Sequence, residues 1–201
     1  NKKFMARMLQ ALESNHAAFA VSKSLCINPL MTNKQVQHIL SKSYIEHKMV
    51  YHMDRDYQML TTALDSCVFK TSDIAEIGFN EKLPFEAGCD MVMKLLINKN
   101  TYIAVPKAKY QYYAPRENQI LYHVPSHDAR WYKDSLVDYI FPLLTYAKER
   151  KGVIPKFLQL YCVYYMNCRM MANKDNRNKK VLLGEKLDEY LELIGKLFQS
   201  I

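Results

Sequence analysis

Phe4, Met5, Met8, Leu9 and Leu12 recur at the three- and four-residue spacings of a single helix face, so residues 3–14 are expected to form an amphipathic helix. The run AAFAVS beyond Asn15 and His16 is short and apolar without that period, as in a buried strand. NPLM marks a turn. In NKQVQHILSKSYIEH, Val36, Ile39 and Leu40 keep helical spacing behind Asn33, a side chain suited to an N-cap, and a helix is expected there. SCVFK at 66–70 has the composition of a strand. Thr71 then heads a short capped helix, SDIAEI, that stops at Gly78. Pro84 suits the first turn of the next helix, expected to reach about Asn98, and TYIAVP at 101–106 returns as a strand.

From about Asp128 the period is helical throughout. Leu136, Val137, Ile140, Phe141, Leu144 and Ala147 make one stripe; Gly152 breaks it, and Pro155 starts another helix that runs to about Met171. A last helix is expected from about Val181 to the end, behind the polar linker ANKDNRNKK. Between 155 and 171 apolar side chains fall on nearly every side, which calls for burial between neighbours or a partner surface. No internal repeat is visible.

With 201 residues, 49% of them hydrophobic, the chain can fold as one good-sized domain or two small ones around a real core. The formal charge of +8 points to an anionic partner, yet the 28 Lys and Arg are spread along the chain, with one local cluster at Arg169, Lys174, Arg177, Lys179 and Lys180. Charge alone therefore favours phosphate-bearing ligands or an acidic membrane surface as much as nucleic acid. The cysteines, Cys26, Cys67, Cys89, Cys162 and Cys168, are odd in number and lack CxxC spacing, and no cleavable signal precedes them, so a reducing cytoplasm is the expected compartment. The longest apolar run, around Phe157 to Cys168, is about a dozen residues with Gln159 inside it, against roughly 18 to 20 needed to span a bilayer. The sequence opens on NKKFMARM and closes inside a helical pattern at LFQSI, so a segment of a longer protein is expected.

The candidate chemistry centres on LPFEAGCDMVMKLLINKN. Glu86 and Asp90 share a helix face, and Lys94 continues it. Two explanations stand side by side: catalytic carboxylates beside a cleft, or a helix rim in which Glu86 meets the helix dipole and Asp90 pairs with Lys94, a contribution of about 0.2–0.5 kcal/mol. Asp54 and Asp56 in MDRDY spell Asp-x-Asp, but the preceding YIEHKMVYH is a poor buried strand, and a solvated loop is expected instead of a metal-diphosphate site. His123 and His127 have zinc-helix spacing, which Pro125 between them breaks. With five glycines the chain has no dinucleotide fingerprint or Gly-rich phosphate loop, and no Ser-His-Asp or Cys-His arrangement appears. Tyr102, Tyr110, Tyr112, Tyr113, Tyr122, Tyr161, Tyr164 and Tyr165 suit stacking on sugars or bases, or an amphipathic core and its rim.

Three stretches in order, DSCVFKTSDIAEIGFNEKLPFE, NTYIAVPKAKYQYYAPREN and GVIPKFLQLYCVYYMNCRM, resemble the second half of bacterial family 2 glycosyltransferases of the GT-A fold, the kind that build capsule and surface polysaccharides. The resemblance covers residues 1 to about 171. It implies an α/β fold, α+β as a fragment: a partial GT-A domain of a few strands with flanking helices over 1–125, and a helical extension over 126–201. It also implies a parent enzyme that transfers a sugar from a nucleotide-diphosphate sugar to a surface glycan acceptor. Glu86 or Asp90 would be the base, and Arg116, preferred for its fixed bidentate charge, with His123 and His127, the diphosphate contacts. A Mg or Mn ion would be held mainly by residues upstream of Asn1, as would the nucleotide. The family's acidic motif is an adjacent Glu-Asp pair, whereas here Ala87 follows Glu86 and the next acid is Asp90. The expected location is the cytoplasm, with peripheral contact at the inner face of the membrane open, and nucleic acid is not the expected partner. The rival expectation is a non-enzymatic basic helical module that binds a protein or nucleic acid through its tyrosines and the cluster at 169–180.

Overall fold

A computed structural model describes residues 2–15, 17–27, 35–37, 49–62, 64, 66–113, 125–174 and 181–201. The first helix, α1 (Lys2–Ser14), buries Met8 and Leu12 of the stripe that predicted it, together with Ala11, while Met5 and Leu9 of that stripe are exposed. Strand β1 (Phe19–Ile27) follows, then β2 (Gln35–Gln37), β3 (Val50–His52) and β4 (Cys67–Phe69). Residues 35–37 were expected in a helix and are instead a strand, because they complete the hydrogen bonding of β1; the remainder of that helix lies outside the described residues. Helix α2 (Thr71–Ile77) ends at Gly78, whose φ of 71° is the left-handed value that glycine adopts without a Cβ penalty. Its N-cap position is Lys70, with no side-chain cap, so Thr71 is inside the helix.

Helix α3 (Ala87–Lys99) starts later than expected: Pro84 lies ahead of it, and Glu86 takes the N-cap position. Asn100 closes α3 at φ 59°, a conformation that asparagine tolerates, and donates its side-chain amide to Asp54 at 2.5 Å. The chain then enters β5 (Thr101–Tyr113), longer than its apolar run implied. Pro106 is accommodated by a bulge: Val105 pairs with Ser22, the next pair is Lys109 with Lys23, and Pro106–Ala108 drop out of the ladder.

The five strands form one mixed sheet in the order β2-β1-β5-β3. β5 runs parallel to β1; β4 and β2 pair antiparallel with opposite ends of β1, and β3 pairs antiparallel with the start of β5. Alternation along the two central strands creates two cores. Phe19, Val21, Tyr102 and Ala104 face the larger one, and Ala20, Ile103 and Val105 face the smaller one under α1.

After β5 the described chain is helical. Short 3-10 turns at Pro125–His127 and Ala129–Trp131 lead into a π-helical segment, Ser135–Ile140, continuous with α4 (Phe141–Lys151). The wider π turn explains why one position of the expected stripe fails: Leu136 and Ile140 are buried with Tyr139, whereas Val137 is 45% exposed. α5 (Lys156–Lys174) begins directly behind Pro155, and α6 (Glu185–Ser200) is amphipathic, burying Tyr190 and Leu197. The larger core runs without a break from Phe19 on β1 through α3 to Phe157 on α5 and Leu197 on α6. No described helix is long and apolar enough to cross a membrane. The fold is thus mixed α/β, as expected.

Leu96, fully buried on α3, and Val153, 65% exposed before α5, give a direct check on this core. Leu96→Ala is expected to lower the unfolding free energy in urea by about 2–5 kcal/mol, and Val153→Ala by less than about 0.5 kcal/mol.

Candidate functional site: the Glu86–Arg169 centre

α5 carries one cation into the interior. Arg169 is 3% exposed, and such a charge is tolerated only with its donors satisfied. Nε and Nη2 donate to the Trp131 carbonyl at 3.0 and 2.7 Å, Nη1 donates to the Tyr165 carbonyl at 3.2 Å, and Nη2 donates to Glu86 Oε1 at 3.0 Å. The Tyr165 hydroxyl is a further partner of Nη2. The guanidinium also lies over the Trp131 and Tyr165 rings, 4.3 and 3.4 Å from their centroids. Burial works against the charge, but Tyr165 and Glu86 outweigh it, so Arg169 holds its proton more firmly than an exposed arginine.

Glu86 meets this cation from the N-cap position of α3. It is a non-glycine residue at φ 60°, ψ 11°, in the left-handed region, at a cost of about 1–2 kcal/mol. Its carboxylate makes no cap bond to the helix. Oε1 accepts from Arg169, and Oε2 accepts from the Ser135 hydroxyl at 3.1 Å. Glu86 was expected in the first turn of the helix and stands instead at the N-cap, where its carboxylate goes to the buried guanidinium and the Ser135 hydroxyl and makes no bond to the helix N–H groups.

Asp90 stands one turn on and is 3% exposed, with Oδ2 accepting from Lys94 Nζ at 2.7 Å. The ion pair expected at that spacing is present, buried on the acid side and half-open on the lysine side. Between the acids lies Cys89, whose thiol is pushed up to about 12 by burial and then by the charge of Glu86. Tyr139 donates to the Tyr161 hydroxyl at 2.7 Å, and these two with Tyr165 form a triangle of rings with centroids 5.9–6.3 Å apart. Burial raises all three phenols well above their ordinary value, so they stay protonated donors. Tyr190 adds a buried hydroxyl without a hydrogen-bond partner among the described residues.

Other expected site residues lie elsewhere or outside the description. Arg116 and His123 are outside the described residues, and His127 is exposed in the first 3-10 turn. Asp54 and Asp56 follow β3: Asp54 accepts from Asn100, and Asp56 accepts from the His52 backbone N–H at 2.9 Å. Among the described residues no three His, Cys, Asp or Glu side chains converge as a metal site. Of the tyrosines considered for stacking, Tyr102, Tyr161 and Tyr165 are core residues, while the side chains of Tyr112, Tyr113 and Tyr122 are not described. Arg169 is the main correction: placed with the surface cluster by its position in the sequence, it is the buried hub of the centre. A signal was present, since a lone arginine in the apolar run YCVYYMNCRMM must find a carboxylate or a set of carbonyls. Ser135 and the Trp131 carbonyl carried no such signal.

No family model and no curated protein matches this chain.

Two measurements follow from the centre. Arg169→Met leaves the Glu86 carboxylate largely buried without its cation, and a loss of about 3–5 kcal/mol is expected in chemical denaturation; Glu86→Gln on that background should recover part of it in a double-mutant cycle. Alkali is the second probe. Cys89 and Cys162 are raised from 9.0 to about 12 in the folded chain, both by burial first, so their contribution is complete below pH 9.0 and is lost between pH 9.0 and about 12 as only the unfolded chain ionises. Denaturation midpoints should fall over that window, and Cys89→Ala with Cys162→Ala should flatten the fall.

Proposed function

We propose that this chain is the acceptor-side half of a GT-A glycosyltransferase, and that its parent transfers a sugar from a nucleotide-diphosphate sugar to a surface glycan acceptor. One observation carries the proposal. The ion pair between Glu86 and Arg169 joins residues 83 apart in the sequence, the ends of the first and third stretches that resemble the family. Convergence of two such stretches on one preorganised carboxylate supports a common site over a chance likeness.

In this proposal Glu86 is the first candidate for the general base. Its left-handed backbone, the guanidinium on Oε1 and the hydroxyl on Oε2 hold it from three elements at once, the over-determined geometry in which strain persists at functional positions. The Ser135 hydroxyl, at 3.1 Å, stands where an acceptor hydroxyl would have to come: an O–H donor within reach of a carboxylate already fixed on its other oxygen. In the reaction the acceptor hydroxyl takes the place of Ser135 at Oε2: its oxygen bonds to the anomeric carbon, its proton passes to the Glu86 carboxylate, and the bond from that carbon to the diphosphate oxygen breaks, the nucleoside diphosphate leaving with the electron pair. Arg169 acts as a positioning residue. Asp90 is the second candidate, with less exposed side-chain surface, 5% against 13% for Glu86. Arg116, with His123 and His127, is assigned to the diphosphate. Mg or Mn belongs to residues outside this sequence, and no step above depends on it.

The test is metal-dependent sugar transfer by a longer polypeptide that includes the nucleotide-binding half. Glu86→Gln should lower kcat by about 100-fold or more, the usual contribution of a positioned base, and Asp90→Asn by less. Activity at the wild-type rate in the Glu86→Gln, Asp90→Asn double variant would remove both acids from the mechanism.

A further inference from the structure

On the opposite face of the sheet from Glu86, α1 and the bulged part of β5 enclose two hollows, of about 540 and 400 Å³. They share Arg7 and Lys107, whose contact forms the saddle between them: Arg7 Nη1 donates to the Lys107 carbonyl at 2.7 Å. Lys3 and Lys109 line the smaller hollow with Phe4 and Tyr110; Gln10 and Asn15 line the larger. Among the described residues neither lining contains Asp or Glu. Several other described cations do sit on carboxylates: Lys94 on Asp90, Lys99 on Asp73, Arg130 on Asp128 and Lys133 on Glu189.

Among the described residues the two linings bring Arg7, Lys107 and Lys109 to one concave surface. A cleft lined by charge of one sign concentrates counter-ions, and a guanidinium anchored through one nitrogen keeps planar donors for a tetrahedral oxyanion. Pro106 is part of the cause. Excluded from the ladder, it forces the bulge that sets Lys107 outside the β1 register and Lys109 back in it, one on each side of buried Ala108. We propose that this trough binds a phosphate-bearing anion, a diphosphate or longer, with Arg7 and Lys107 on the bridging region and Lys109 on the end in the smaller hollow. The proposal is independent of the glycosyltransferase assignment, since none of these residues touches the Glu86 centre.

Titration calorimetry of the full chain with sodium pyrophosphate at low salt is the first arm. Saturable binding that weakens steadily with added salt is expected. Lys107→Glu with Lys109→Glu should weaken it by about tenfold or more, Arg7→Lys by several-fold through loss of the planar fork, and Lys196→Glu on exposed α6 should leave it unchanged. The second arm, co-sedimentation with vesicles containing phosphatidylglycerol, identifies the source: vesicle binding lost in the same double variant, without pyrophosphate binding, assigns the phosphate to a lipid headgroup and still supports the trough. Absence of both kinds of binding overturns the proposal. So does binding that survives the charge reversals, or a single-stranded oligonucleotide bound more tightly than either probe through the same residues. Unchanged circular dichroism confirms that these surface variants fold.

Discussion

A guanidinium withdrawn from water must have its donors met inside the protein, and the arrangement around α3, α5 and the turns before α4 follows from that constraint. Arg169 takes acceptors from the start of α3, from the 3-10 turn at Trp131 and from its own helix one turn back. Each is a different part of the chain, so meeting the charge fixes their mutual position. The left-handed Glu86 is the local cost: its backbone departs from the helix so that its carboxylate reaches the cation and not the helix N–H groups. Removing either partner strands the other with little water, which is why a buried pair costs far more to break than an exposed one.

Around that pair the tyrosines behave as amphipathic core residues. Tyr139, Tyr161 and Tyr165 supply ring area to the larger core, and their hydroxyls bond one another or the guanidinium. A polar network of this kind is stable only when nearly complete, because the low dielectric that strengthens each bond also penalises each missing one. The sheet separates this network from a plainer core beneath α1, where alanines on α1 and β1 allow close packing. The two faces consequently differ in chemistry: a satisfied internal charge pair on one, and an open basic trough on the other.

Much of the fold was legible in the order of apolar residues. The spans of α1, β4 and α2, the end of α4 at Gly152, the start of α5 and the return to a strand at Thr101 all follow from period and from Gly or Pro punctuation, because these signals act within a few residues. The failures have a common origin. Residues 35–37 have helical spacing yet pair with β1, since an unfilled edge position outweighs a weak local preference. Pro84 suits a helix start, but α3 begins at Ala87, and Glu86 at its N-cap is turned toward Arg169. Val137 belongs to a helical stripe by α spacing and is turned outward by the π segment.

By itself the sequence determined a mixed α/β chain with a real core and the ion pair of Asp90 with Lys94, and it marked Glu86 and Asp90 alike as candidate acids. Only the tertiary structure decided what Glu86 does with its charge, and that Arg169 is a core residue and no part of a basic surface. The reason is physical. A contact four residues apart is set by helix geometry and can be counted off the chain, whereas a contact across 83 residues exists only once three elements have packed closely enough to exclude water from it.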